Sequence, residues 1–172
     1  MYKIIAIKKP TFGLLGWLHI HTQLPLFLSI SSKEMALMIL TIVPQSRIRI
    51  IFEALTENLK IDKDIVMLSL GNAHHHDVYH ILTKSKSLKE DKDVMLLALL
   101  KTTPNDTSYV LAKSKTLIND RDVVLFAINK SNYVGRQKIY ASLNKTLQDD
   151  PEITSIYLAS LLRKTKGSTL YL

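Results

Sequence analysis

The sequence predicts an all-α protein made of stacked helix hairpins, about four and a half units of 29–31 residues each. Three observations carry that reading. One phrase is written three times, as "LKIDKDIVML", "LKEDKDVMLL" and "LINDRDVVLF". Its leucine column, Leu59, Leu88, Leu117 and a weaker Leu147, has spacings of 29, 29 and 30. Turn-forming residues recur between the phrases. A fixed period of this length marks an array whose units cannot bury their apolar faces alone.

Residues 1–27 stand apart. They join a basic start to a long apolar stretch, which can be read as a targeting segment. Pro10 and Pro25 interrupt it, and His19, Thr22 and Gln23 sit in its middle. No run of eighteen apolar residues occurs, so a membrane partner is not expected. A folded N-terminal cap is the preferred reading and a targeting or membrane-contacting segment the alternative. His19 and His21 are expected to serve that cap near Trp17.

Residues 28–172 form the repeat domain. Its first copy, from Leu28, is degenerate. Ser31 takes the aspartate column and stands three before Glu34, the spacing of a capping box. "EMALMILTIV" is its first helix, ended by Pro44, and "SRIRIIFEALTEN" its second. In later copies Asp62, Asp91, Asp120 and Asp150 are the predicted N-caps, whose carboxylates accept from free backbone N–H groups. Asp64, Asp93, Asp122 and Glu152 fall in the first turn, where the helix dipole favours negative charge. The runs that follow are apolar all round, which requires burial on most sides.

A more amphipathic second helix is predicted in each unit: "DVYHILTKSK" from Asp77, "TSYVLAKSK" from Thr107 and "RQKIYASLNK" from Arg136. Gly71 and Asn72, then Pro104 and Asn105, then Asn132 and Gly135 are the expected connectors. The last copy, from Leu147, is expected to fray at Lys166 and Gly167.

The phrase L-x-x-D-K-D/E-V followed by apolar residues resembles a family of short α-helical repeats of unknown function, found in proteins of intracellular bacteria and large viruses. The resemblance covers roughly residues 59–160. It implies the helical-repeat fold and a role in binding, and no known activity. The lysine-rich "TKSKS" and "AKSKT" ends depart from it.

The chain has no cysteine, which excludes disulfides, thiolate nucleophiles and Cys-type zinc sites. That favours a reducing intracellular compartment. A net charge of +8 favours anionic partners, but no block of five like charges makes a basic arm.

Lysine columns raise the question of an anion site. Lys86, Lys115 and Lys145 precede the repeat leucines, with Lys84 and Lys113 as a partial second column. Lys86 is expected beside Asp91, and Lys115 beside Asp120, as exposed ion pairs. Lys101 and Lys130, with Arg136 and Lys138, lie away from the aspartates and are the candidate anion or partner surface. In "NAHHHDVYH", His76 and His80 share a helix face, as metal ligands can. No third ligand spacing follows, so a solvated loop and no metal are expected. Tyr79, Tyr109 and Tyr140 fall at second-helix positions and are expected to pack in a core or groove.

No nucleophile elbow, P-loop or dinucleotide fingerprint is present, so neither catalysis nor a cofactor is expected. The function predicted is a non-catalytic interaction module or scaffold that binds a protein through its helical surface. The alternative is an RNA-binding or structural component of a ribonucleoprotein. A helical-repeat enzyme acting on nucleic acid is a third class, weakened because every acid has a capping job.

Overall fold

The computed structural model describes residues 29–168, with side chains to residue 162. The cap-or-targeting reading of residues 1–27 therefore lies outside the described residues, with Trp17, His19 and His21. The described chain is all-α. A lone parallel bridge joins Ile30 to Leu55.

The helices begin with α1, Lys33–Ile42. A 3₁₀ turn leads into α2, Ile48–Ala54, and then the four-residue α3, Glu57–Lys60. Helices α4, Lys63–Asn72, and α5, His75–Lys84, form the next hairpin. Then come α6, Lys92–Lys101, and the short α7, Thr107–Leu111. Helices α8, Arg121–Lys130, and α9, Tyr133–Ser142, form the following hairpin. The chain continues into α10, Lys145–Gln148, and α11, Pro151–Ser168. The last helix is continuous through Lys166 and Gly167, where fraying was expected. A helical glycine costs only about 1 kcal/mol, which does not by itself stop a helix.

Each first helix packs on the next: α1 on α4, α4 on α6, α6 on α8, α8 on α11. The second helices cover them, α5 against α4 and α6, and α9 against α8 and α11. One register repeats. Counting from each cap, the fourth, seventh and eighth residues are buried: Ala36, Ile39 and Leu40, then Val66, Ser69 and Leu70. Met95, Ala98 and Leu99 follow, then Val124, Ala127 and Ile128. Burying a side chain such as Leu99 or Ile128 stabilises by about 1.5–3 kcal/mol. These positions make one stripe at helical spacing.

That register corrects one cap. The α1 cap is Ser32, not Ser31: its hydroxyl accepts from Met35 N–H at 3.3 Å and donates to Glu34 at 2.8 Å. Ser31 is exposed. Burial of Ala36, Ile39 and Leu40 sets where the helix starts, and the degenerate copy is one residue shorter from cap to cap than an alignment on Leu28 assumes.

The hairpin turns also differ from expectation. Gly71 and Asn72 lie inside α4, and Gly135 lies inside α9. Among the described residues no glycine has positive φ. The α4–α5 and α8–α9 turns are made by extended pairs, Ala73–His74 and Ser131–Asn132, which need no left-handed residue. Gly135 is a packing glycine. A Cβ there would meet Ser131 Cβ at 3.0 Å and Asn132 Oδ1 at 3.1 Å.

Candidate interaction surface

The strongest pattern runs along the edge formed by the N-termini of the first helices. Each of these helices starts with a cation, at Lys33, Lys63, Lys92 and Arg121, until Pro151. Each cation reaches forward to both acids of the next unit. Lys33 Nζ lies 2.8 Å from Asp62 and 2.7 Å from Asp64. Lys63 lies 2.9 Å from Asp91 and 2.8 Å from Asp93. Lys92 lies 3.1 Å from Asp120 and 2.7 Å from Asp122. Arg121 forks to Asp150 at 2.7 Å and Glu152 at 2.8 Å.

The aspartates do two jobs with two oxygens. Asp91 Oδ1 accepts from Asp93 N–H at 3.0 Å and Val94 N–H at 3.2 Å, while Oδ2 faces Lys63. Asp62 and Asp150 repeat this arrangement, whereas Asp120 meets both its backbone donors and Lys92 with Oδ1. Burial alone would raise the carboxyls of Asp62, Asp91 and Asp120, but the lysine and the backbone donors hold them below the usual range. Arg121 chiefly, helped by the Ile153 N–H, lowers Asp150. Bonds from Asp62 and Asp64 push Lys33 up to about 12. Asp91 and Asp120 are thus occupied by Lys63 and Lys92. Lys86, expected beside Asp91, instead lies 2.9 Å from Glu57. Lys86 opens the 3₁₀ turn Lys86–Glu90 after α5, and its ammonium reaches back to the preceding unit and not forward to the cap.

A second inter-unit device is Glu90. Its carboxylate accepts from the Ser114 and Thr116 hydroxyls and from the Lys115 and Thr116 N–H groups. Burial opposes ionisation here, yet these donors hold the group ionised, at about 2. Glu90 thereby fixes the loop that ends the short α7.

The candidate anion surface divides. Lys130 Nζ donates to the Leu100 carbonyl, beside half-buried Lys101. Burial pushes the Lys130 ammonium down. Arg136 donates to the carbonyls of Ile128 at 2.9 Å and Asn129 at 3.2 Å. Lys130 and Arg136 therefore satisfy helix C-termini, a favoured place for cations. Lys138 is elsewhere. It donates to Tyr109 Oη at 2.7 Å and lies 4.4 Å from that ring's centre. Lys113 sits in the same way over Tyr79, 4.1 Å from the centroid.

Tyr79 and Tyr109 are 44% and 53% exposed, so of the core or groove expected for them they take the groove. Each offers an apolar ring with a polar tip on the second-helix face. Tyr140 is half-buried and stacks on Tyr157 at 4.0 Å. Between the first two tyrosines lies a half-open recess of about 280 Å³, lined by His75, His76, Tyr79, Thr102, Asp106 and Tyr109. It opens where α7, five residues long, stands beside α5, ten residues long.

The histidines are rearranged relative to expectation. His80 pairs with Glu53 across units and does not join His76. His76 gathers instead with His74 and His75, ring centres 3.8–4.9 Å apart. Burial, then the neighbouring His76 and His74, hold the His75 imidazole below its usual pKa.

The N-terminal cation column and Glu90 were not foreseen. The first had a visible signal, the middle residue of D-K-D and D-R-D. The second had none, because Glu90 occurs once and its donors lie 24–26 residues on. Among the described residues no helix is long and apolar enough to cross a membrane. The chain matches no family model, no curated protein and no solved structure.

Proposed function

We propose that the hairpins form one solenoid and that this solenoid is a non-catalytic module binding a protein partner on its second-helix face. The carrying observation is the contrast between its surfaces. Along the first-helix edge, each rung holds one cation between two acids, so the cations are fully engaged and the edge keeps a negative surplus. On the second-helix face, Tyr79 and Tyr109 are exposed and carry Lys113 and Lys138 beside them. Amphipathic rings of this kind supply contact area at low entropic cost and are enriched in protein interfaces. Base stacking fits less well, since one face of each ring is already taken by an ammonium group. Lys130 and Arg136 are committed to carbonyls, which removes two cations from a phosphate-binding track.

Stacking has a direct test. Deleting residues 88–116 removes one whole unit and brings Lys63 into register with Asp120 and Asp122. A solenoid refolds with a lower melting temperature. Loss of cooperative unfolding would refute it. Binding is tested by affinity capture with and without nuclease, using the full chain and a Tyr79→Ser, Tyr109→Ser variant. Nuclease-resistant capture that the variant loses supports a protein partner. Capture abolished by nuclease transfers the reading to RNA.

A further inference from the structure

We propose that His74, His75 and His76 bind a borderline divalent transition-metal ion, with Asp106 of the next unit closing the site. The ion then ties two successive hairpin loops together.

The backbone explains how three consecutive histidines come together. On a continuous helix their side chains would radiate about 100° apart. His74 is not helical: it is the extended cap residue, at φ −69° and ψ 147°. Its ring swings back over the next two, and the nearest nitrogens of all three lie within 4.8 Å of one another. Zinc at 2.0–2.1 Å from each nitrogen holds its donors roughly 3.3 Å apart. Side-chain rotations of about an ångström close that gap, and rings that are exposed or half-buried are free to make them.

Imidazole nitrogen without thiolate suits zinc, copper and nickel, and does not suit magnesium or calcium. A helix N-terminus is the positive end of a dipole, so a site of three neutral rings there disfavours a cation. A carboxylate must offset it. Asp106 meets that need, because it lines the recess with His75 and His76 and is held by the Thr103 hydroxyl at 2.6 Å. Asp77 is turned to Arg49, 3.8 Å away. Tyr79 and Tyr109 line the same recess.

The test uses the untagged full chain and zinc ion, titrated by calorimetry and in competition with a chromophoric chelator. Wild-type protein takes one equivalent, and zinc raises its melting temperature. His75→Gln with His76→Gln weakens binding at least about tenfold and removes the thermal shift, with the helical circular dichroism unchanged. Asp106→Asn weakens it about tenfold, the scale of a lost charge partner at a metal site. His80→Gln, committed to Glu53, changes nothing. Absence of one-to-one binding, or equal affinity in the double variant, overturns the site. Equal affinity in Asp106→Asn overturns the link between units.

Discussion

Replacing Glu90 by glutamine isolates the charge that ties the turn before α6 to the loop after α7. The carboxylate gathers two hydroxyls and two N–H groups from residues 114–116. Its pKa falls from the ordinary 4.5 to about 2. At about 1.4 kcal/mol per pH unit that depression is worth roughly 3.4 kcal/mol. Glu90 is only half-buried, and solvent screening cuts the value to ~1.5–2 kcal/mol. The folded-state pKa is the lower one, so the stabilisation is complete above 4.5 and is lost as pH falls through about 2. Glu90→Gln keeps shape and one acceptor oxygen but has no charge to lose. At pH 7 it should melt roughly 3–8 °C below wild type. Urea titrations of both proteins from pH 7 to pH 3 should show the gap shrinking by more than half. A gap that stays constant across that range would mean that amide geometry, not charge, holds the loop.

Ser69→Ala should raise stability by ~1 kcal/mol in urea unfolding, because the Ser69 hydroxyl is fully buried with no hydrogen-bond partner. Ala98 and Ala127 already fill the same column, so the cavity accepts alanine. The two helical glycines should give opposite signs in thermal melts. Gly71→Ala, with nothing within 4 Å of the new Cβ, should stabilise by ~0.5–1 kcal/mol. Gly135→Ala, crowding Ser131 and Asn132, should destabilise by ~1–3 kcal/mol. Lys92→Met, which empties one rung, should lower the melting temperature in low salt, and 1 M NaCl should abolish the difference.

Much of this fold was legible because its signals are local. An aspartate that accepts from the N–H groups two and three residues on can be read from spacing alone, and so can the apolar runs behind Asp62, Asp91 and Asp120. Partners set by tertiary geometry were harder to read. Lys86 and Lys63 are equally plausible neighbours of Asp91 on paper, and only helix packing chooses Lys63. Gly71 and Gly135 looked like turn residues because glycine breaks isolated helices, yet both sit in helices stabilised by tertiary packing. The site residues divided in the same way. Lys130 and Arg136 were recognised as cations away from the aspartates, but carbonyls exposed at helix ends, which no residue letter records, decide where they point.

The charge ladder also explains why the phrase is written so faithfully. Each D-K-D serves two neighbours at once. Its acids receive the cation of the preceding unit, and its own cation serves the acids of the next. A change in one phrase therefore disturbs two interfaces. The ends of the described ladder are finished differently. In α1 the acid column holds Ser32 and Glu34, which bond each other at 2.8 Å and leave no acid pair awaiting a cation. In α11 the cation column holds Pro151, suited to a first helical position and bearing no charge to extend. Between these ends the rungs Lys33, Lys63, Lys92 and Arg121 all point one way along the chain. The buried stripe sets the register between these helices, and the exposed rungs reinforce it from one edge only weakly, as solvent-exposed ion pairs do.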